Sequence, residues 1–511
     1  MEFNSFSFIV FFPIVSIIFF VLPHSLRWIW LLAASCYFYV QVSVSALLLL
    51  LAVTAVLFCT GILIEKYRER NNQRTARIYL VIGITLPVIM LFICKYLNFF
   101  NSNIAAIAKA LHLQYPVPIL KILIPLGISY YVFQVISYIV DIYRGSIQAE
   151  HHPGIFTLCI MFFPKIIAGP IERPASLLKQ LHEKQNLDFG RISDGLILMA
   201  WGFFKKLVIA DRLAIPVNDI FNNVVRYDWS HYLVAAFFFT LQLYADFSGY
   251  TDIALGSSRV LGFRLADNFR KPYFSISISD FWGGWHISLS SWLRDYVYIP
   301  LGGNRGSKPR VYFNIFITFL ISGIWHGANW TFITWGILHG MYIIIGMITK
   351  PVRDTITRLT RIVRFQSLHR ALQMTITFIL VMFAWIFFRA NSINDAGRMI
   401  GGILNGLFSS VRSLLFHDFT GIQFFSKIMI RKTNAITIFG FNSKQYLIEM
   451  TILFISLGLL AMTEIIQRED DFIAMISKKR TIFRWSFYLI ILLSILLFGM
   501  YSNTQFIYFN F

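Results

Sequence analysis

Charge is what this sequence has least of. Only 14% of its 511 residues are Asp, Glu, Lys or Arg, against roughly 25% in soluble domains. A chain of this length could bury a large core, but it would still need a polar surface. Too few polar residues exist to cover one, which excludes a water-soluble globular domain. Acidic residues are scarcest, 25 against 45 Lys and Arg, leaving a net charge of +20. The four cysteines, Cys36, Cys59, Cys94 and Cys159, are scattered through apolar runs. With no Cys-x-x-Cys or Cys/His ligand spacing, a metal site is not indicated, and buried, inert thiols are expected. The adjacent His151 and His152 lack partners at ligand spacing and read as surface residues. No internal repeat, low-complexity tract or disordered linker is visible, so residues 1–511 read as one membrane domain. No soluble basic domain is present to bind nucleic acid.

What fills the chain instead is apolar: 57% hydrophobic residues, 52 of them Phe, with a mean hydropathy of +0.64. A spanning helix needs about 20 mostly apolar residues. Runs approaching that length recur along the chain, at 6–22, 28–41, 45–64, 78–93, 122–140, 155–168, 196–209, 232–244, 311–324, 332–348, 372–388, 446–466 and 485–500. Several are short enough to tilt, re-enter or lie buried among neighbours, and the length rule predicts about 11 spans. The first run has neither the basic start nor the small-residue cleavage site of a signal peptide, so it is expected to remain as a helix.

Three loops, 65–77, 350–370 and 467–484, are rich in Lys and Arg, and the positive-inside rule places them in the cytoplasm. That parity puts both termini, and residues 411–444, outside. Most of the net charge is then topogenic. A sharper alternative is attraction of an anionic cytosolic substrate, such as a CoA-like thioester.

The informative stretch is 244–340. Polar residues inside a bilayer cost free energy, and a dense set of them points to function by default. In Tyr244-Ala-Asp-Phe-Ser-Gly-Tyr-Thr-Asp252, two carboxylates lie six residues apart around Gly249, where a helix break is expected. Asp246 and Asp252 suit an acid/base pair or a cation site. Greater weight falls on a structural role, hydrogen-bonded around a broken helix or facing Arg259 and Arg264.

The stretch 281–303 carries Trp282, Trp285, His286, Trp292, Arg294 and Asp295 with interrupting glycines and a proline. Irregular backbone at membrane depth is tolerated only where protein or a water-filled cavity surrounds it. The segment therefore reads as re-entrant or pocket-lining, with an interfacial tryptophan belt as the plainer alternative. Arg294 and Asp295 also read as a simple pair. In Ile324-Trp-His-Gly-Ala-Asn-Trp330, His326 is the sole Asp, Glu, Lys, Arg or His of 311–338. By itself such a histidine is more often neutral and hydrogen-bonded across helices than catalytic. Asn329 is placed to orient the ring or to donate to an oxyanion. His339, thirteen residues on, would be about 20 Å away along a straight helix, so direct pairing with His326 is not expected.

These residues resemble the membrane-bound O-acyltransferase (MBOAT) family, and within it the alginate O-acetyltransferase branch. The resemblance is carried by Phe163-Pro-Lys-Ile-Ile-Ala-Gly-Pro-Ile-Glu-Arg-Pro174, Asp246-Phe-Ser-Gly-Tyr-Thr-Asp252, Asp267-Asn-Phe-Arg-Lys-Pro-Tyr273, Trp285-His-Ile-Ser-Leu-Ser-Ser-Trp-Leu-Arg-Asp-Tyr296 and Trp325-His-Gly-Ala-Asn-Trp330. The ending Gln505-Phe-Ile-Tyr-Phe-Asn-Phe511 is similar to that branch as well. Residues 353–370 and 414–444 do not align, and nothing is carried over there.

The resemblance implies an all-α integral membrane fold with re-entrant or interfacial helices around a central polar pocket. It also implies an essential histidine in the Trp-His-Gly element, His326. The second family histidine, in the Trp-His-x-Ser element, is His286, either pocket wall or direct participant. Asn329, Trp285, Trp325, Arg294 and Asp295 are the accompanying candidates for substrate binding. No bound cofactor or metal is implied, and acetyl-CoA enters as the acyl-donor substrate. The implied acceptor is an exported polysaccharide, reached through an extracytoplasmic SGNH-type, esterase-like partner, from a protein embedded in lipid of the bacterial cytoplasmic membrane. Peptidoglycan O-acetyltransferases resemble the same branch. Two rival readings remain: a D-alanyl transferase of teichoic acid synthesis, and a small-molecule transporter, which would show two related halves with matched broken helices.

Overall fold

A computed structural model describes residues 1–122, 124–415, 443–467, 472–477, 479–501 and 506–507. Most of the expected outer segment 411–444 and most of the family-like ending 505–511 lie outside the described residues. The expected all-α architecture is what forms. Among the described residues the backbone is helical or irregular, apart from one isolated bridge between Phe269 and Trp285. Apolar runs become helices because a helix satisfies its own backbone groups where water cannot.

Among the described residues, six helices are long and apolar enough to cross a membrane: Val44–Glu69, Gln73–Ala110, Trp330–Ile348, Gln366–Arg389, Ile448–Ile466 and Thr481–Phe498. The protein is a multi-pass membrane protein. Other runs counted toward the expected 11 make helices that are shorter, such as Phe6–Val21, or that carry polar residues against protein, such as Trp229–Leu261. The run at 155–168 departs most from a span. Its helix, Pro153–Met161, stops at Met161, and the chain continues irregularly, with every residue of 161–172 buried. Side chains supply what the missing helix does not. Ser35 Oγ accepts from Phe163 N at 3.1 Å, Ser288 Oγ accepts from Ile171 N at 3.0 Å, and Lys165 Nζ donates to Gln134 Oε1 at 2.7 Å.

Two large apolar clusters form most of the core. One is built from the N-terminal helices and Ile128–Arg144, and includes Trp325. The other joins Phe189–Phe203, Asp211–Asn222 and Gln366–Arg389, and includes Trp335 and Trp385. The helix Trp229–Leu261 belongs to both, giving Tyr250 and Ile253 to the first and Phe239 and Phe247 to the second. It is continuous through Gly249, where the sequence suggested a break.

Gly249 is instead a contact. A Cβ there would stand 2.8 Å from Gly202 O, and one on Gly202 would stand 2.6 Å from Gly249 O. Gly195 and Gly256 meet in the same way one level along. Two helices thus approach backbone to backbone, as small residues permit in membranes. The carboxylates of this helix also find partners other than the expected arginines. Asp246 pairs with Lys206 at 2.8 Å, and Asp252 with Lys205 at 2.6 Å. Both lysines lie in the π-helical turn Phe204–Ala210. Arg259 pairs with Asp194 at 3.2 Å. His151 is exposed beside Glu65, and His152 caps the helix Pro153–Met161, so both work at loop positions as expected.

Candidate active site

His326 is the last residue of the helix Lys308–His326. Gly327 follows in an extended conformation, and Asn329 caps the next helix, Trp330–Ile348, its Oδ1 accepting from Thr331 N at 3.0 Å. The two helices fold into a hairpin because Gly323 and Gly336 meet. A Cβ on either would lie about 3 Å from the Cα of the other, at 3.1 and 2.9 Å. The imidazole is buried at the junction of the two apolar clusters, 4.8 Å from the Trp325 ring on one side and 4.8 Å from the Trp335 ring on the other, with Phe388 at 5.2 Å. The hairpin also brings His339 to the same indole as His326. The His339 ring stands 5.0 Å from Trp335, and His339 Nδ1 accepts from Trp282 Nε1 at 3.2 Å.

His286 is fully buried and sits between two short helices, Ile278–Gly284 and Ile287–Leu293. Its φ of +44° is a left-handed conformation that costs a non-glycine residue free energy and needs neighbours to hold it. Asn268 does the holding. Its backbone O accepts from Ile287 N at 3.0 Å. Its Oδ1 accepts from Ser288 Oγ at 2.6 Å and from His286 Nδ1 at 3.3 Å. That bond makes Nδ1 the protonated nitrogen and leaves Nε2 with its lone pair. The ring packs edge-on against Phe247 at 4.7 Å and lies 6.1 Å from Trp325. Trp325 therefore stands against both histidines.

The remaining predicted residues divide. Trp325 and Asn329 are in the His326 turn. Trp285 lies one layer behind, 5.0 Å from Trp385, which stacks on Trp335 at 5.6 Å. Arg294 and Asp295 are elsewhere, in a half-buried cluster where they pair with each other at 2.9 Å and Asp295 also pairs with Arg173 at 2.8 Å. Arg294 borders an open cleft with Tyr298, the glycines 302 and 303, Asn304 and Arg305. That cleft precedes Lys308, so it lies toward the opposite end of the helix from His326. A line of rings joins the two regions: Tyr296 to Trp292 at 5.0 Å, Trp292 to Phe133 at 3.7 Å, and Phe133 to Trp325 at 5.2 Å.

Several residues of this centre escape sequence reasoning. Trp335 and Phe388 read only as apolar. Asn268 stands inside a family-like motif, where it carries no signal beyond its type. Lys95 donates to the backbone oxygens of Trp325 and His326 at 3.0 and 2.9 Å, and its signal was visible as a lone charge at the edge of an apolar run.

The chain is similar to known proteins along most of its length. The model of the MBOAT, membrane-bound O-acyltransferase family matches residues 151–393. The probable alginate O-acetylase AlgI of Pseudomonas syringae pv. tomato is 37% identical over 433 residues, covering 83% of this chain and 79% of the relative. A peptidoglycan O-acetyltransferase of Helicobacter pylori is 34% identical over 407 residues, 74% of each. A teichoic acid D-alanyltransferase of Bacillus subtilis is 29% identical over 313 residues, covering 58% of this chain and 73% of the relative.

Proposed function

This chain belongs to the membrane-bound O-acyltransferase family, and from that premise we propose that it carries an acetyl group from cytosolic acetyl-CoA toward a glycan outside the membrane, with His326 as the base. That it is an O-acyltransferase follows from the family and from relatives named as O-acetyltransferases. The observation that carries the finer reading is the buried imidazole of His326 at a helix end, between Trp325 and Trp335 and one indole away from His286.

In this reading the neutral imidazole takes the proton of the acceptor hydroxyl. The oxygen attacks the thioester carbonyl carbon, the tetrahedral intermediate collapses, and the C–S bond breaks. The imidazolium then returns its proton to the departing CoA thiolate. Nearby N–H groups steady the oxyanion, an interaction strengthened where water is excluded. Asn329 suits that task less than its position suggests, since its Oδ1 caps a helix and its Nδ2 reaches Asn391 O at 3.5 Å. His286, with Nδ1 held by Asn268, offers Nε2 to the same space as pocket wall or proton relay.

The donor's side is supported by the distribution of charge. Val311 and Ile344 share one small cluster, so the start of Lys308–His326 lies beside the end of Trp330–Ile348 and the basic loop after it. Arg144 and Arg173 both cover the Tyr296 ring, at 5.4 and 4.6 Å. Arg68, from the first basic loop, donates to Ile142 O nearby. Two of the three basic loops thus converge on one end, the cytoplasmic end by the positive-inside rule. The cleft beside Arg294 opens there, where an anionic thioester would arrive. Both termini then lie outside the cytoplasmic membrane, and an SGNH-type partner receives the acetyl group for alginate-like polysaccharide or peptidoglycan.

D-alanyl transfer is the second reading. The relatives named for it align with little more than half of this chain, against 83% for the alginate type. Purified protein incubated with labelled acetyl-CoA and an acceptor partner separates the two. Transfer is expected with acetyl-CoA, and His326→Ala is expected to lower it by about 100-fold or more while inserting normally. Full transfer by that variant would overturn the assignment of the base.

A further inference from the structure

We propose that Lys95 is a positioning residue for this reaction: its ammonium group holds the final carbonyls of the helix that ends in His326, and so sets where the imidazole stands. The inference rests on the reading of His326 as the base. Lys95 is the sole charged residue between Arg77 and Lys109, within the membrane-crossing helix Gln73–Ala110. An ionisable residue at such a position marks function by default.

An ammonium group has three donors and no acceptor capacity, and three acceptors are in reach. They are His326 O at 2.9 Å, Trp325 O at 3.0 Å and Ser129 Oγ at 3.3 Å. The neighbouring Tyr96 donates its hydroxyl to Ile324 O at 2.7 Å. A helix end leaves its last carbonyls without intrahelical partners, and Gly327, at φ −170°, ends this one abruptly. Two consecutive residues of another helix therefore take the carbonyls of Ile324, Trp325 and His326. The sign of the charge fits as well, because a cation is favourable at the negative end of a helix dipole.

The grip extends across the whole Trp-His-Gly-Ala-Asn-Trp element. Trp325 Nε1 donates to Ser129 O at 3.2 Å, and Trp330 Nε1 donates to Asn103 Oδ1 at 2.9 Å, with the Phe99 ring 5.8 Å from Trp330. Lys95 and Tyr96 lie in a π-helical turn, Phe92–Tyr96, an irregularity that gathers at functional sites. All of these contacts from the helix Gln73–Ala110 come from upstream of residues 151–393, the part that the family model matches. The segment that carries the histidine is therefore clamped from outside itself.

The test compares Lys95→Met, Lys95→Arg and His326→Ala as purified proteins, reading kcat, KM for acetyl-CoA and the thermal midpoint in detergent. Displacement of a reacting group by about 1 Å costs on the order of 100-fold. Lys95→Met is therefore expected to lower kcat by about 10–100-fold with KM changed less than about twofold. Lys95→Arg, which keeps charge and donors, should recover at least half of that loss on a logarithmic scale. A kcat of Lys95→Met within about twofold of the parent would overturn the proposal. So would equal losses in Lys95→Met and Lys95→Arg that follow a lowered midpoint, since that is a folding defect and not a positioning one. If Lys95→Met does not accumulate, Lys95→Gln, which loses the charge and shortens the reach to the two carbonyls, is read against the same limits. Full activity in His326→Ala would instead defeat the assignment of the base, so the two failures are distinguishable.

Discussion

Between residues 242 and 251 the helix Trp229–Leu261 exposes nothing, whereas in Thr481–Phe498 Ile491 alone is buried. Both are apolar helices of one membrane protein, yet they answer to different surroundings. The second meets the length and apolarity of a span and presents large side chains such as Leu496 and Leu497 outward. The first carries Asp246, Asp252 and Arg259, and each finds its counter-charge in protein. Hydropathy is a measure of lipid exposure, so it finds the outer helix readily and under-reads the inner one, whose polar groups are matched by neighbours.

That contrast can be broken most severely at its most buried charge. Asp246→Ala takes from Lys206 one of its carboxylate partners and deprives Ile507 N of its acceptor at 2.7 Å. A loss of about 3–5 kcal/mol is expected, read as thermal unfolding in detergent. The double variant with Lys206→Met should regain part of it, and no regain would mean that the pair is not the cause. The next effect is steric. Gly202→Leu forces a side chain into the backbone of Gly249 and should cost about 2–3 kcal/mol; an unchanged midpoint would show that the two helices can part freely.

A smaller and more local effect is expected at Asn268. Asn268→Ala removes the acceptor shared by His286 and Ser288 and should cost about 1–3 kcal/mol. Its transfer rate should fall more than that of Ser291→Ala, whose hydroxyl reaches only Ser288 O. The smallest effect sharpens the other side of the comparison. Leu496→Val, on the outward face of Thr481–Phe498, should change stability by no more than about 0.5 kcal/mol. A larger loss would mean that this face is covered by protein rather than lipid.

How much of the site was legible depends on the range over which a residue acts. His326 and His286 were singled out because each stands in a short motif whose meaning travels with the family resemblance. Arg294 and Asp295 were singled out in the same way and sit apart from the histidines, since the helix Ile287–Leu293 carries the chain away from His286 before Arg294 is reached. Gly249 looked like a break and is a contact, because a glycine permits both and only the opposing helix distinguishes them. His339 looked distant from His326 along a straight helix, but the chain reverses at Gly327 and both rings reach Trp335.

The sequence by itself determined that this is an all-helical membrane protein with a polar centre around 244–340, because composition and run length depend on the solvent and not on the fold. It also singled out His326 and His286 by their motifs. Tertiary structure alone decided that Lys205 and Lys206 answer the two aspartates, that Asn268 holds His286 in its strained turn, and that Lys95 clamps the carbonyls beside His326. Each of these is a bond between segments far apart in the chain. A buried polar group must find a partner, but its own sequence neighbourhood does not say where that partner will come from.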